Sequence, residues 1–173
     1  MRIIMIVALL LISAASFSQV QYEVSNDGHD KILKGIITRD LIANDTSFKW
    51  YGQNIAGYKP NEAATNALKA KSNQLQLIVF AGTWCSDTKY ILPKFFALTD
   101  AATFPQDRIT IIGVDRNKKT ISHLSEALGV VNVPTIIVMK EGKEIGRVVE
   151  HGKTGLWDKE LGEIVGQSVV GSH

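Results

Sequence analysis

Residues 75–81 read Leu-Gln-Leu-Ile-Val-Phe-Ala and run without a break into Gly82-Thr83-Trp84-Cys85-Ser86-Asp87-Thr88-Lys89. A nearly continuous apolar run of this length predicts a strand buried on both faces. Ile91, Leu92, Phe95, Phe96 and Leu98 then recur at helical spacing, so a helix is expected from about Cys85 to Asp100, kinked at Pro93. A strand that is apolar on both sides needs neighbours beside it and helices over it, which constrains the rest of the chain. Ile109–Val114 supplies a second buried strand, and Thr120 stands as the N-cap of a helix carrying Ile121, Leu124 and Leu128 and closed by Gly129. Thr135–Met139 and Ile145–Val149 read as strands joined through Glu141-Gly142, a good hairpin turn. Trp157, Leu161, Ile164 and Val165 give a closing amphipathic helix. The expected class is α/β, a mixed central sheet with helices on both faces.

The chain before this pattern divides in two. Met1 and Arg2 precede ten apolar residues, Ile3–Ile12, and then the small-residue stretch Ser13-Ala14-Ala15-Ser16-Phe17-Ser18. That is the layout of a secretory signal peptide over 1–18 with cleavage before Gln19. A spanning helix needs about 20 apolar residues, so a membrane anchor is not expected. The mature protein is therefore expected to be exported, and periplasmic in a Gram-negative source. Residues 19–72 form an N-terminal extension packed on the core domain at 73–173. Within the extension, Ile32–Ile37 reads as a short strand, Thr38 as the cap of a helical turn, and Phe48, Trp50 and Tyr51 as an aromatic cluster. Pro60 followed by Asn61-Glu62-Ala63-Ala64 reads as a helix start with proline in the first turn.

Composition narrows the function. A net charge of +2 on 173 residues excludes binding of nucleic acid through a broad basic surface. One cysteine excludes an internal disulfide framework, a Cys-rich zinc site and any dithiol centre within one chain. His29, His123, His151 and His173 lack ligand spacing and read as surface or satisfied polar residues, so neither a metal nor a cofactor is expected. Asn117-Lys118-Lys119 reads as a solvated loop.

Cys85 lies where the buried strand turns into the helix. Backbone N–H groups there and the positive end of the helix dipole stabilise a thiolate. Thr88, three residues on, is placed to donate a hydrogen bond to the sulfur, and Lys89 adds favourable charge. Asp87 opposes both, because a nearby carboxylate disfavours a second negative charge; the residues alone do not decide which wins. A buried cysteine serving as a small hydrophobe is the alternative.

Trp84-Cys85-Ser86-Asp87-Thr88-Lys89 with Pro93 resembles the thioredoxin motif Trp-Cys-x-x-Cys-Lys and its helix proline. Val133-Pro134-Thr135 resembles the segment that carries a cis-proline beside the active site in that family, and Glu141-Gly142-Lys143 the hairpin turn that follows. The resemblance runs from about Leu75 to Gly166 and implies a thioredoxin-like fold. It implies catalytic positions at Cys85 and Thr88, and substrate contacts at Trp84, Ser86, Asp87, Val133 and Pro134 along a shallow groove beside the sulfur. Two departures bear on chemistry. Thr88 stands where the family has its second, resolving cysteine, and Val79 stands where it has a buried aspartate that assists proton transfer.

The expected function is thiol–disulfide exchange through one nucleophilic cysteine. It forms a mixed disulfide with a protein or small-molecule thiol, which an external thiol then resolves. The alternative is a non-catalytic module that keeps the fold and binds an extended peptide. A thiol peroxidase is set aside because no Thr-x-x-Cys arrangement accompanies the cysteine. The partner, the direction of electron flow and the oligomeric state are not legible.

Overall fold

A computed structural model describes residues 21–167; the signal-peptide reading of 1–18 and the last six residues lie outside them. Six strands among the described residues form one sheet: β1 (Tyr22–Asn26), β2 (Lys31–Ile37), β3 (Leu75–Ala81), β4 (Ile109–Gly113), β5 (Thr135–Lys140) and β6 (Lys143–Val149). Their order across the sheet is β1-β2-β4-β3-β5-β6. β3 runs parallel to β4, with Leu77 opposite Ile109, and antiparallel to β5, with Val79 opposite Ile136. The parallel pair needs a crossover, which the long helix after β3 provides. β2 pairs antiparallel with β4, so the extension contributes two strands to the sheet itself.

The helices are α1 (Arg39–Ala43), α2 (Trp50–Gln53), α3 (Glu62–Lys71), α4 (Ser86–Ala101), α5 (Leu124–Ala127) and α6 (Trp157–Gln167). Side chains alternate across a strand with period two, so adjacent residues serve opposite faces. Leu75, Leu77 and Val79 of β3 join Phe95, Phe96, Leu68, Trp157 and Leu161 in the larger core. Phe80, Ile112 and Ile137 join Val114, Val130 and Val133 in a smaller core on the other face, with Trp84, Cys85, Leu124 and Leu128 packed against it. The sheet is thus mixed and carries helices on both faces, as the sequence predicts, but five of the six pack into the larger core.

Several local details differ from expectation. Asn61, not the first turn, follows Pro60: its side chain caps α3 by accepting from the Ala64 N–H, which leaves Pro60 outside the helix. The helix expected from Thr120 to Gly129 is broken. Ser122 and His123 adopt left-handed backbone, the first residues form a 3-10 turn, and α5 keeps only four residues. Thr120 does not cap it, because its hydroxyl donates to the Gly113 carbonyl at 2.8 Å. The hairpin turn at Glu141-Gly142 does form, with φ of +50° and +75°. Those signs are what a two-residue turn between twisted strands requires.

Pro93 lies inside α4 and leaves the Lys89 carbonyl without its helical donor. The Asn54 side-chain amide fills that vacancy, donating to Lys89 O at 2.9 Å. Arg39 makes a second tie, forked onto both carboxylate oxygens of Asp100 at 2.8 Å while its Nε donates to the Tyr51 hydroxyl. Both contacts bind the extension to the helix that carries the cysteine.

Candidate functional site around Cys85

Cys85 is the N-cap of α4 rather than its first residue, with φ −81° and ψ 130°. The Gly82 carbonyl accepts from its N–H, and its own carbonyl accepts the first helical bond from Lys89. This tight turn places Cys85 just past the end of β3 as a half-buried residue. The Cys85 thiol donates to the Val133 carbonyl at 3.2 Å. The Val133–Pro134 peptide is cis, and the Pro134 carbonyl accepts from the Glu150 N–H at 2.7 Å. Three chain segments that are far apart in sequence therefore meet at the sulfur.

Trp84, next to Cys85 in the chain, packs against the smaller core. Its indole N–H donates to the Val114 carbonyl at 3.1 Å, and a Cβ on Gly82 would lie 2.8 Å from the ring, so only glycine admits the indole there. The Arg116 guanidinium and the Lys118 ammonium lie over the same ring, 5.4 and 5.9 Å from its centre. Ser86 is exposed at the start of α4. Val133 and Pro134 are buried, and the polar atom that meets the sulfur is the Val133 backbone carbonyl.

Thr88 and Lys89 occupy their expected places but make other contacts. Thr88 is fully buried, and its hydroxyl accepts from the Gly82 N–H at 3.2 Å rather than donating to the sulfur. The buried turn has a backbone donor to satisfy, and the nearest hydroxyl is used for it. Lys89 does not lend a free charge to the sulfur, because its ammonium pairs with Asp30 at 2.7 Å. Asp87 is also partnered, by His151 Nε2 at 3.3 Å, and the imidazole in turn packs on the Tyr90 ring. Val79 is buried in the larger core, so no carboxylate stands beneath the sulfur at that position.

The residues that sequence reading missed come from three loops, after β1, β4 and β6. The β1–β2 turn brings Asp27 and Asp30 to Arg116, and Asp30 also to Lys89. Behind it, the Thr83 hydroxyl donates to the Lys31 carbonyl at 2.8 Å and accepts from the Leu33 N–H. His151 arrives on the loop after β6. Asp27, Asp30, Arg116 and His151 lie 31 to 66 residues away from Cys85, farther than any motif spans, and only the density of Asp and Gly at 27–30 hinted at a built turn. Among the described residues no cluster of three or more His, Cys, Asp or Glu could hold a metal ion, and no helix is long and apolar enough to cross a membrane.

The ion pairs make a pH prediction. Hydrogen bonds from the Arg116 side chain, then from the Asp30 and His29 backbone, hold the Asp27 carboxyl well below the usual carboxylate range. The Lys31 ammonium and the Ser47 N–H lower Asp45 to about 2. A depressed carboxylate stabilises the fold fully above its unfolded value of about 3.9 and loses that contribution as pH falls through the folded value. The unfolding midpoint is expected to drop between about pH 4 and pH 2. Asp27→Asn combined with Asp45→Asn should flatten that drop, as read by thermal melts at each pH; an unchanged slope would remove these two groups as its source.

A lone cysteine placed at the join of a central strand and its crossover helix, facing a cis-proline turn in a mixed sheet of this order, defines a thioredoxin-fold protein. The thioredoxin family model matches residues 59–159, more than half of the chain. The chain belongs to the thioredoxin family. It is 36% identical over 87 residues to a thioredoxin of Chlamydia pneumoniae, covering 50% of this chain and 74% of that one. It is 33% identical over 105 residues to a thioredoxin of Mycobacterium tuberculosis, covering 59% and 82%. A TPR repeat-containing thioredoxin of Arabidopsis thaliana is 30% identical over 98 residues, but the chain spans only 24% of that longer protein. Among solved structures, thioredoxin NaTrxh from Nicotiana alata matches at 27% identity with a TM-score of 0.40, over 61% of this chain and 96% of that one.

Proposed function

We propose that this chain is an exported monothiol member of the family, which captures disulfide-bearing proteins or small molecules as mixed disulfides on Cys85. The observation that carries the reading is the position of Cys85, a half-buried residue at the N-cap of α4 whose Sγ lies 3.2 Å from the Val133 carbonyl beside cis-Pro134. The Cys85 thiolate attacks one sulfur of the disulfide, a new S–S bond forms, and the other sulfur leaves as a thiolate. No second thiol exists in the chain, so release needs an external thiol. Export rests on the leader at 1–18, and an oxidising compartment would supply the disulfides.

The test is capture. Incubation with a disulfide-linked peptide should give one adduct per chain, visible as a mass increase, reversed by dithiothreitol and absent from Cys85→Ser. Should no adduct form, the reading falls. A non-catalytic peptide-binding module would then be favoured by the identities of Val79 and Thr88, which stand where the family has its buried aspartate and its second cysteine.

A further inference from the structure

The β1–β2 turn lies outside the segment that matches the family model, which begins at residue 59, yet it is built onto the active-site turn. Thr83, directly before the Trp84-Cys85 pair, exchanges hydrogen bonds with Lys31 and Leu33 of β2. From this anchored base the turn carries two carboxylates to the two cations nearest the site. Asp30 bonds Lys89 Nζ through one oxygen at 2.7 Å and Arg116 through the other at 2.9 Å. Asp27 bonds Arg116 Nε, and its other oxygen accepts from the His29 and Asp30 N–H groups, which fixes the turn. Arg116 itself lies over Trp84, and Lys89 sits one helical turn from Cys85.

We propose that Asp27 and Asp30 are specificity-determining residues that cancel the positive field at Cys85, so that the site exchanges with uncharged or basic disulfides in preference to polyanionic ones such as glutathione disulfide. This deepens the thiol-exchange reading and rests on it. Without the two carboxylates, Lys89, Arg116 and Lys118 would present three cations around Trp84 and Cys85. With them, Lys118 is the one cation there without a carboxylate partner among the described residues, and the Asp87 carboxylate, two residues after Cys85, is paired with His151. An approaching anion therefore meets no net attraction, whereas steering by two unpaired cations would raise its local concentration.

The experiment compares paired probes with the same leaving group and different charge, read as the change in their rate ratio. Cys85 is alkylated with iodoacetate, an anion, and with iodoacetamide, which is neutral; the thiolate displaces iodide in both. Asp27→Asn combined with Asp30→Asn keeps the shape of the turn and its acceptors and removes two charges. The ratio of the iodoacetate rate to the iodoacetamide rate should rise roughly fivefold at low ionic strength and return towards the wild-type ratio in high salt. Asp107→Asn combined with Glu163→Gln, remote from the site, makes the same change in net charge and should leave the ratio unmoved. A merely structural turn would alter both probes together. An unchanged ratio in the Asp27/Asp30 variant, or an equal rise in the remote control, overturns the proposal. Failure of the thiol-exchange reading is separate: it would show as no mixed disulfide with a neutral peptide disulfide, whatever the alkylation ratio.

Discussion

Replacing Thr88 with cysteine is expected to turn the proposed single-thiol capture into turnover. Residue 88 is the third position of α4 and Cys85 is its N-cap, a pair whose side chains lie on one side of the helix start. A thiol introduced there attacks the mixed disulfide from within the molecule, at an effective concentration in the millimolar range. Against about 10 μM of external thiol, release of the captured partner should accelerate on the order of a hundredfold. The variant should finish with an internal disulfide and regain activity when a reductant is supplied. The change also removes the hydroxyl that accepts from the Gly82 N–H, a buried contact whose loss costs about 1–3 kcal/mol. The measurement is the lifetime of the peptide adduct by mass spectrometry. An adduct as long-lived as in the wild type would show that position 88 does not face the captured sulfur.

Phe80→Ala should have the largest effect on stability that also reaches the chemistry. Phe80 is fully buried in the smaller core, among Ile112, Val114, Val130, Val133 and Ile137, with Trp84 and Cys85 packed against that cluster. Truncation of a buried phenylalanine leaves a cavity and costs about 3–5 kcal/mol. Here the cavity opens under Val133 and Trp84, so the carbonyl facing the sulfur and the indole beside it both lose their support. Phe95→Ala, in the larger core on the other face, should cost a similar amount. Denaturant midpoints should fall in both variants. The rate of Cys85 alkylation under native conditions should change in Phe80→Ala and stay near the wild-type value in Phe95→Ala. Equal effects on reactivity would mean that the smaller core does not position the site.

These two faces also show what could be read in advance. β3, α4, β4, the β5–β6 hairpin and α6 were each legible, because their apolar residues repeat with periods near 2 or 3.6 and their boundaries carry local chemistry. Helix α5 was misread for the same reason in reverse: Ile121, Leu124 and Leu128 have helical spacing, but left-handed backbone at Ser122 and His123 interrupts it, and no spacing reveals that. The motif placed Trp84, Cys85 and Pro134 in one region. It did not show that Thr88 would serve Gly82 or that Lys89 would serve Asp30, since both partners are chosen by whichever donor or acceptor the fold brings within reach.

The amino-acid order by itself determined a buried strand, a helix starting at a single cysteine, and the absence of a second thiol to release what that cysteine binds. Those are properties of local periodicity and of composition, and they hold whatever surrounds them. The charge around the sulfur was decided only in three dimensions. Asp27, Asp30, Arg116 and His151 reach the site because β1 and β2 extend the sheet and the β6 loop returns beside Pro134. Coulomb interactions depend on separation in space, and the pairing of strands distant in sequence is what sets that separation.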